Sequence, residues 1–143
     1  MKIIITSGYF DPVHAGHIEL FKLAKALGDK LIVILSRDEQ CMWKKGKVFM
    51  PEQERKTILE SIRYIDEVFI AIDKDKTSIE SIKAIAEKYK GNEIIYAKGG
   101  DRYAYEIPET PICKQFGIKI IDGLGAKIQS SSNLTGIKEI KHK

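Results

Sequence analysis

The chain has 143 residues, of which 43% are hydrophobic and 31% charged, and it carries a formal net charge of +4 at pH 7. That length suits one domain, residues 1–143, able to bury its own core, and the balance excludes a disordered chain. No apolar stretch approaches the roughly 20 residues that cross a bilayer, so no membrane partner is expected. The mild charge, without an arginine-rich run, excludes an extended nucleic-acid surface and suits a small anionic ligand.

The first element is the apolar run at residues 3–5, which is too short for a signal peptide and reads as a buried strand. A helix follows: Leu20, Leu23, Ala24 and Leu27 share one face, with Gly28 as its stop. Residues 31–35 (LIVIL) form the second strand. A polar stretch from Ser36 to Lys47 reads as a loop. Pro51 then suits a first helical turn, with Ile58, Leu59 and Ile62 on its apolar face. Residues 68–72 (VFIAI) form the third strand. Thr77 and Glu80 match a capping box ahead of Ile79, Ile82, Ile85 and Ala86. Residues 94–97 and 118–121 supply the fourth and fifth strands, joined by a loop. Ser130 to Asn133 can cap a short last helix, and the final KEIKHK is expected to fray.

Strands that are nearly continuous in apolar β-branched residues, alternating with helices, imply a doubly wound, Rossmann-like α/β fold. Five parallel strands are covered by helices on both faces. Cys41 and Cys113 stand in unrelated contexts, with no CxxC pair and no zinc spacing, and are expected to be free thiols in a cytoplasmic protein.

Ligands of such sheets bind beyond the carboxyl ends of the strands. That rule selects four segments, around 7–17, 36–47, 98–102 and 123–132, and the chemically rich residues fall in all four. In GYFDPVHAGH (8–17), Gly8 permits a tight turn and close backbone approach. His14 and His17 share one face if a helix begins near His14, and Gly16 between them leaves room for a ligand. A helix start there offers backbone N–H groups and a positive dipole end to phosphate, while the imidazoles can donate to charge developing in a transition state. Zinc pairs on helices usually stand four apart with a further ligand, and no third ligand is evident. Lys44, Lys45 and Lys47 follow the second strand. Paired glycines in KGGD (98–101) allow close approach to a base or phosphate, and hydroxyls in QSSS (129–132) can cap a helix and bind phosphate together.

GYFDPVHAGH resembles the GxFDxxHxGH signature of the nucleotidyltransferase superfamily. Across nearly the whole chain the resemblance continues. LAKALGDKLIVILSRDE and PEQERKTILESIRYIDEV are similar to the glycerol-3-phosphate cytidylyltransferases, and KGGD is similar to the adenylyltransferases that act on heptose 1-phosphate.

The resemblance implies transfer of a nucleotidyl group from an NTP to a small phosphorylated acceptor, with release of pyrophosphate. ATP is the preferred donor and CTP the rival; a non-catalytic nucleotide-binding module is the alternative outside enzymes. It implies that His14, His17 and Lys44 carry catalysis. Gly8, Tyr9, Phe10, Gly16, Gly100, Asp101, Ser130, Ser131 and Ser132 would join the histidines in binding the nucleotide. Lys44, Lys47, Arg55 and Arg63 would meet the acceptor, which is expected near Lys44–Lys47 and the 74–78 turn. Mg²⁺ is expected to accompany the triphosphate, held mainly by its oxygens rather than by a protein cage; Asp11 is the nearest carboxylate and is equally suited to orienting the loop. Many members of the superfamily are homodimers, which makes a homodimer the expected assembly.

Overall fold

The computed structural model describes residues 1–99 and 107–124. Along these residues run β1 (Lys2–Gly8), α1 (Ala15–Lys25), β2 (Lys30–Leu35), α2 (Asp38–Lys45), α3 (Glu52–Glu60), β3 (Glu67–Ile70), α4 (Ile79–Lys88), β4 (Glu93–Gly99), α5 (Thr110–Gln115) and β5 (Lys119–Leu124). The strands pair in the order β3-β2-β1-β4-β5, every pair parallel. This is the Rossmann-like sheet that the apolar runs predict.

The period of two within each strand splits the core into layers. Ile3 and Ile5 of β1, Ile32 and Ile34 of β2 and Tyr96 of β4 face Ile82 and Ile85 of α4 and Cys113 of α5. Ile4, Leu31, Val33, Leu35 and Ile95 face the other way, onto Phe21 and Ala24 of α1 and Leu59 of α3. Each such side chain contributes about 1.5–3 kcal/mol by leaving water. Both faces of the sheet are therefore covered, and the ligand edge is left at the strand ends. No described helix is long and apolar enough to cross a membrane.

The structure corrects four expectations about the elements. The stretch read as a loop from Ser36 to Lys47 contains α2, which has Asp38 and Glu39 in its first turn and Lys44 and Lys45 in its last, and which stops at Gly46 in the left-handed conformation, φ 75°. The third strand ends at Ile70, and Ile72 is exposed. A short helix, α5, lies in the connection between β4 and β5. Thr77 does not form the capping box at α4. Its hydroxyl donates to Asp75 Oδ1 at 2.6 Å and accepts from Ile79 N at 3.4 Å, while the next two amides go to buried Asp73, whose carboxylate accepts from Glu80 N at 2.7 Å and Ser81 N at 3.3 Å. A carboxylate is the stronger acceptor at a helix start. The expected last helix, its capping serines and the chain end lie outside the described residues.

Candidate functional site

β1 runs between strands that leave it in opposite directions of the fold, and its carboxyl end opens into residues 9–14. Phe10 takes φ 49°, a left-handed conformation that costs a non-glycine residue about 1–2 kcal/mol. Burial offsets that cost, for Phe10 is 3% exposed. Its ring stacks edge-on against His17 at 4.8 Å and Phe21 at 5.3 Å. The ring also folds back over Gly8, where a Cβ would stand 2.8 Å from it. Glycine is therefore required at this position by packing. Buried Asp11 accepts from Phe49 N at 2.9 Å and Met50 N at 2.5 Å. Both its oxygens orient the loop that precedes α3.

The two histidines cap α1 reciprocally. His14 Nδ1 accepts from Gly16 N at 3.1 Å, and His17 Nδ1 accepts from His14 N at 3.2 Å. Their rings stack with centroids 3.8 Å apart. A ring nitrogen that accepts an N–H carries no proton, so each neutral imidazole holds its proton on Nε2. This refines the expectation of free backbone donors at the helix start: the amides of His14 and Gly16 are spent on the rings, which leaves the proton of each neutral ring on Nε2. Burial, His14 and Lys45 push the His17 imidazole down to about 3. An ordinary imidazole in the unfolded chain takes its proton near pH 6.5, and the folded one does so only near 3. The folded state therefore holds its full advantage from this group above pH 6.5 and loses it as the pH falls from 6.5 towards 3, by at most about 1.4 kcal/mol per pH unit. In an NMR titration the His17 ring proton is expected to keep its neutral shift from about pH 8 to about pH 5. A midpoint near 6.5 would contradict this burial.

α2 carries two lysines toward the motif. Lys44 Nζ lies 4.4 Å over the Tyr9 ring, and Lys45 adds its charge to the surroundings of His17. Beside Lys44 opens a cavity of about 330 Å³. Ser7, Gly8, Tyr9, Ser36 and Lys44 line it on the motif side, Lys76, Thr77 and Ser78 on the turn before α4, and Ile107, Pro108 and Glu109 ahead of α5. The turn is tied in place: Tyr9 Oη donates to Lys76 O at 3.3 Å, Gln40 Nε2 to Asp75 O at 2.9 Å and Thr77 O at 3.3 Å, and Arg37 to Asp73 O.

Gly8, Tyr9, Phe10, His14, Gly16, His17 and Lys44 are thus gathered at the carboxyl edge. Arg55 lies beneath them, fully buried. It donates to Tyr9 O, Ser36 O and Met50 O at 2.6–2.8 Å and pairs with Asp38 at 2.8 Å. This geometry makes it a residue that fixes loops rather than one that meets an acceptor. Lys47 is exposed beyond Gly46 and does not line the cavity. Arg63 is not brought to the site. α3 runs back toward the amino ends of the strands and ends at Glu60, so Arg63 lies past its end, on the approach to β3. There Arg63 donates to Tyr64 Oη at 2.8 Å. Gly100, Asp101, Ser130, Ser131 and Ser132 lie outside the described residues. The lysine cluster read from the sequence included Lys45 without giving it a role, and Glu109 was not singled out. The adjacency of Lys45 to Lys44 was a signal; Glu109, in YEIPET, offered none.

A parallel sheet whose switch in strand order coincides with a histidine-capped helix and a lysine-lined cavity has the layout of a ligand-binding α/β domain. Residues 5–121 match the model of the cytidylyltransferase-like family, and the chain belongs to that family. It is 52% identical over 68 residues to glycerol-3-phosphate cytidylyltransferase of Bacillus subtilis, covering 48% of this chain and 53% of that protein. It is 40% identical over 83 residues to FAD synthase of Pyrococcus horikoshii, covering 57% and 55%. The chain thus spans about half the length of the relatives it matches. The crystal structure of a lipopolysaccharide core biosynthesis protein from Thermoplasma volcanium superposes with a TM-score of 0.70 at 22% identity, covering 88% of this chain and 98% of that one. It shares the fold.

Proposed function

We propose that the chain transfers a nucleotidyl group from an NTP, with ATP as the preferred donor, to a small phosphorylated acceptor. The reciprocal cap of His14 and His17 carries this reading, because it fixes two Nε2–H donors side by side at a helix N-terminus. An oxygen of the acceptor's phosphate attacks the α-phosphorus in line. A new P–O bond forms, the bond from the α-phosphorus to the bridging oxygen breaks, and pyrophosphate leaves with that electron pair. No covalent enzyme intermediate is required, so positioning and charge stabilisation suffice. His14 and His17 donate to the charge that builds on the phosphoryl oxygens, and Lys44 holds the acceptor's phosphate against them.

Mg²⁺ would neutralise triphosphate charge. Among the described residues no group of three or more His, Cys, Asp or Glu side chains is placed to hold a metal, and both Asp11 oxygens are taken by amides. The triphosphate's own oxygens are its proposed ligands. Buried free Cys41 and Cys113 suit the reducing cytoplasm in which such a reaction would run.

ATP is supported by KGGD and by the FAD synthase relatives, whose product contains an adenylyl group. The 52% identity to a cytidylyltransferase favours CTP as the second reading. Pyrophosphate release with Mg²⁺, crossing ATP, CTP, GTP and UTP against glycerol 3-phosphate, sugar 1-phosphates and FMN, tests both. Release with ATP and one acceptor is the expected result, and release with CTP alone replaces the donor. Thermal stabilisation by a nucleotide with no release from any pair would make the chain a binding module.

A further inference from the structure

Residues 3, 5 and 7 of β1 share one face of the sheet, by the strand period of two. Ile3 and Ile5 are buried there against α4 and α5. Ser7, at the carboxyl end of that row, lines the cavity. Tyr96 of β4 is the register partner of Ile5 and packs in the same layer, 0% exposed. Its Oη lies 2.5 Å from Ser7 Oγ.

Either oxygen could donate across that distance, and burial decides which one does. A phenol carries one proton, and among the described residues the hydrogen bond of Tyr96 Oη is to Ser7 Oγ. If Ser7 donated, the phenol proton would sit in the core without an acceptor, which is costly. Tyr96 therefore donates and Ser7 accepts. Burial and the nearby charge of Glu109 raise the phenol above its ordinary range, so the proton stays on it. A hydroxyl that accepts one hydrogen bond still has its own proton to give. Ser7 brings that proton to a cavity whose wall includes Lys44 and Lys76, and their charge draws anionic oxygens there. We infer that Ser7 donates to a phosphate oxygen of the bound ligand, and that Tyr96 is a positioning residue that fixes the Ser7 hydroxyl as a donor. The inference rests on the transfer reading above, in which both the triphosphate and the acceptor carry such oxygens.

Calorimetry tests this with ATP and CTP in Mg²⁺, glycerol 3-phosphate, FMN and inorganic phosphate, each offered alone, beside thermal melts of the same variants. The wild-type chain is expected to bind at least one of these probes. Ser7→Ala should weaken that binding at least ~10-fold, the loss expected for a hydrogen bond to a charged group, and should melt lower because the phenol loses its acceptor. Tyr96→Phe lets the Ser7 hydroxyl rotate and should weaken binding by a smaller factor. The double variant, Ser7→Ala with Tyr96→Phe, separates a donor from a merely structural pair. Removing both partners restores a matched interior, so it should melt closer to wild type than Ser7→Ala does, yet bind as weakly as Ser7→Ala. Loss confined to ATP or CTP would place the Ser7 contact on the triphosphate, and loss confined to glycerol 3-phosphate or FMN would place it on the acceptor. Affinities unmoved by Ser7→Ala, binding restored in the double variant, or a wild-type chain that binds no probe would overturn the inference. A double variant that melts no higher than Ser7→Ala, or Tyr96→Phe with wild-type affinity, would remove Tyr96 from it. Ser7-dependent binding with no pyrophosphate release from any pair would instead refute the transfer reading and leave the Ser7 contact standing.

Discussion

Replacing His14 or His17 with alanine is expected to lower pyrophosphate release by at least ~100-fold, the range seen when one donor to transition-state charge is removed. Each histidine does two jobs, and the experiment must separate them. Nδ1 closes a hydrogen bond to backbone, His14 to Gly16 and His17 to His14, and loss of such a cap costs about 1 kcal/mol of stability. Nε2–H is the donor assigned to phosphate. Asparagine places a carbonyl oxygen near the position of Nδ1 and has nothing at Nε2. His14→Asn is therefore expected to melt close to wild type and to be as inactive as His14→Ala. His17→Asn should behave the same way in activity and give up more stability, because its ring also packs edge-on against Phe10. Near-wild-type turnover in both alanine variants would defeat the proposed mechanism. An asparagine variant that regains activity would move the role of that histidine from the phosphate to the cap.

The strands were legible because their apolar residues are nearly continuous and because the sheet is buried on both faces, so no polar alternation interrupts the pattern. α2 was not legible. DEQCMWKK has no apolar stripe, since Gln40 and Cys41 are its buried residues. Its stability comes instead from its ends: charges aligned with the dipole, Gly46 as a stop, and a reciprocal link in which Asp38 N donates to Glu52 Oε1 and Glu52 N to Asp38 Oδ1. α5 was hidden by its six-residue length. Asp73 caps a helix that begins six residues later, a partnership that a four-residue capping pattern does not encode. In the site, the spacing of His14 and His17 could be read directly, because three residues place two side chains on one face of a helix. Which nitrogen each ring would present could not, since that depends on hydrogen bonds closed only in the folded loop. Arg55 and Arg63 look alike in ERKTILESIR, and the direction of α3 alone separates them, burying one under the motif and leaving the other at the far end of the sheet.

Arg55→Met is expected to destabilise the fold by about 3 kcal/mol, a loss on the scale of breaking a buried pair by removing one partner. The Arg55 guanidinium is fully buried and joins three segments distant in sequence. Nη1 donates to Tyr9 O at 2.8 Å in the motif and to Ser36 O at 2.6 Å after β2. Nε donates to Met50 O at 2.7 Å before α3, and Nη2 pairs with Asp38 at 2.8 Å. Methionine fills much of the volume but leaves three carbonyl oxygens without this donor. Asp38 itself is 40% exposed and can be rehydrated, which keeps the expected loss at the lower end of that scale. For a chain of this size the melting temperature should fall by roughly 10 °C, as urea and thermal melts would show. Lysine restores the charge but not the planar fork, and a single ammonium cannot reach all of these acceptors in the same geometry. Arg55→Lys should therefore regain part of the stability while the motif loop, freed at Tyr9, loses its registration to Lys44 and transfer stays slow. A methionine variant within about 0.5 kcal/mol of wild type would show that the fork does not hold the loops together. A lysine variant with full turnover would show that catalysis does not depend on how rigidly they are held.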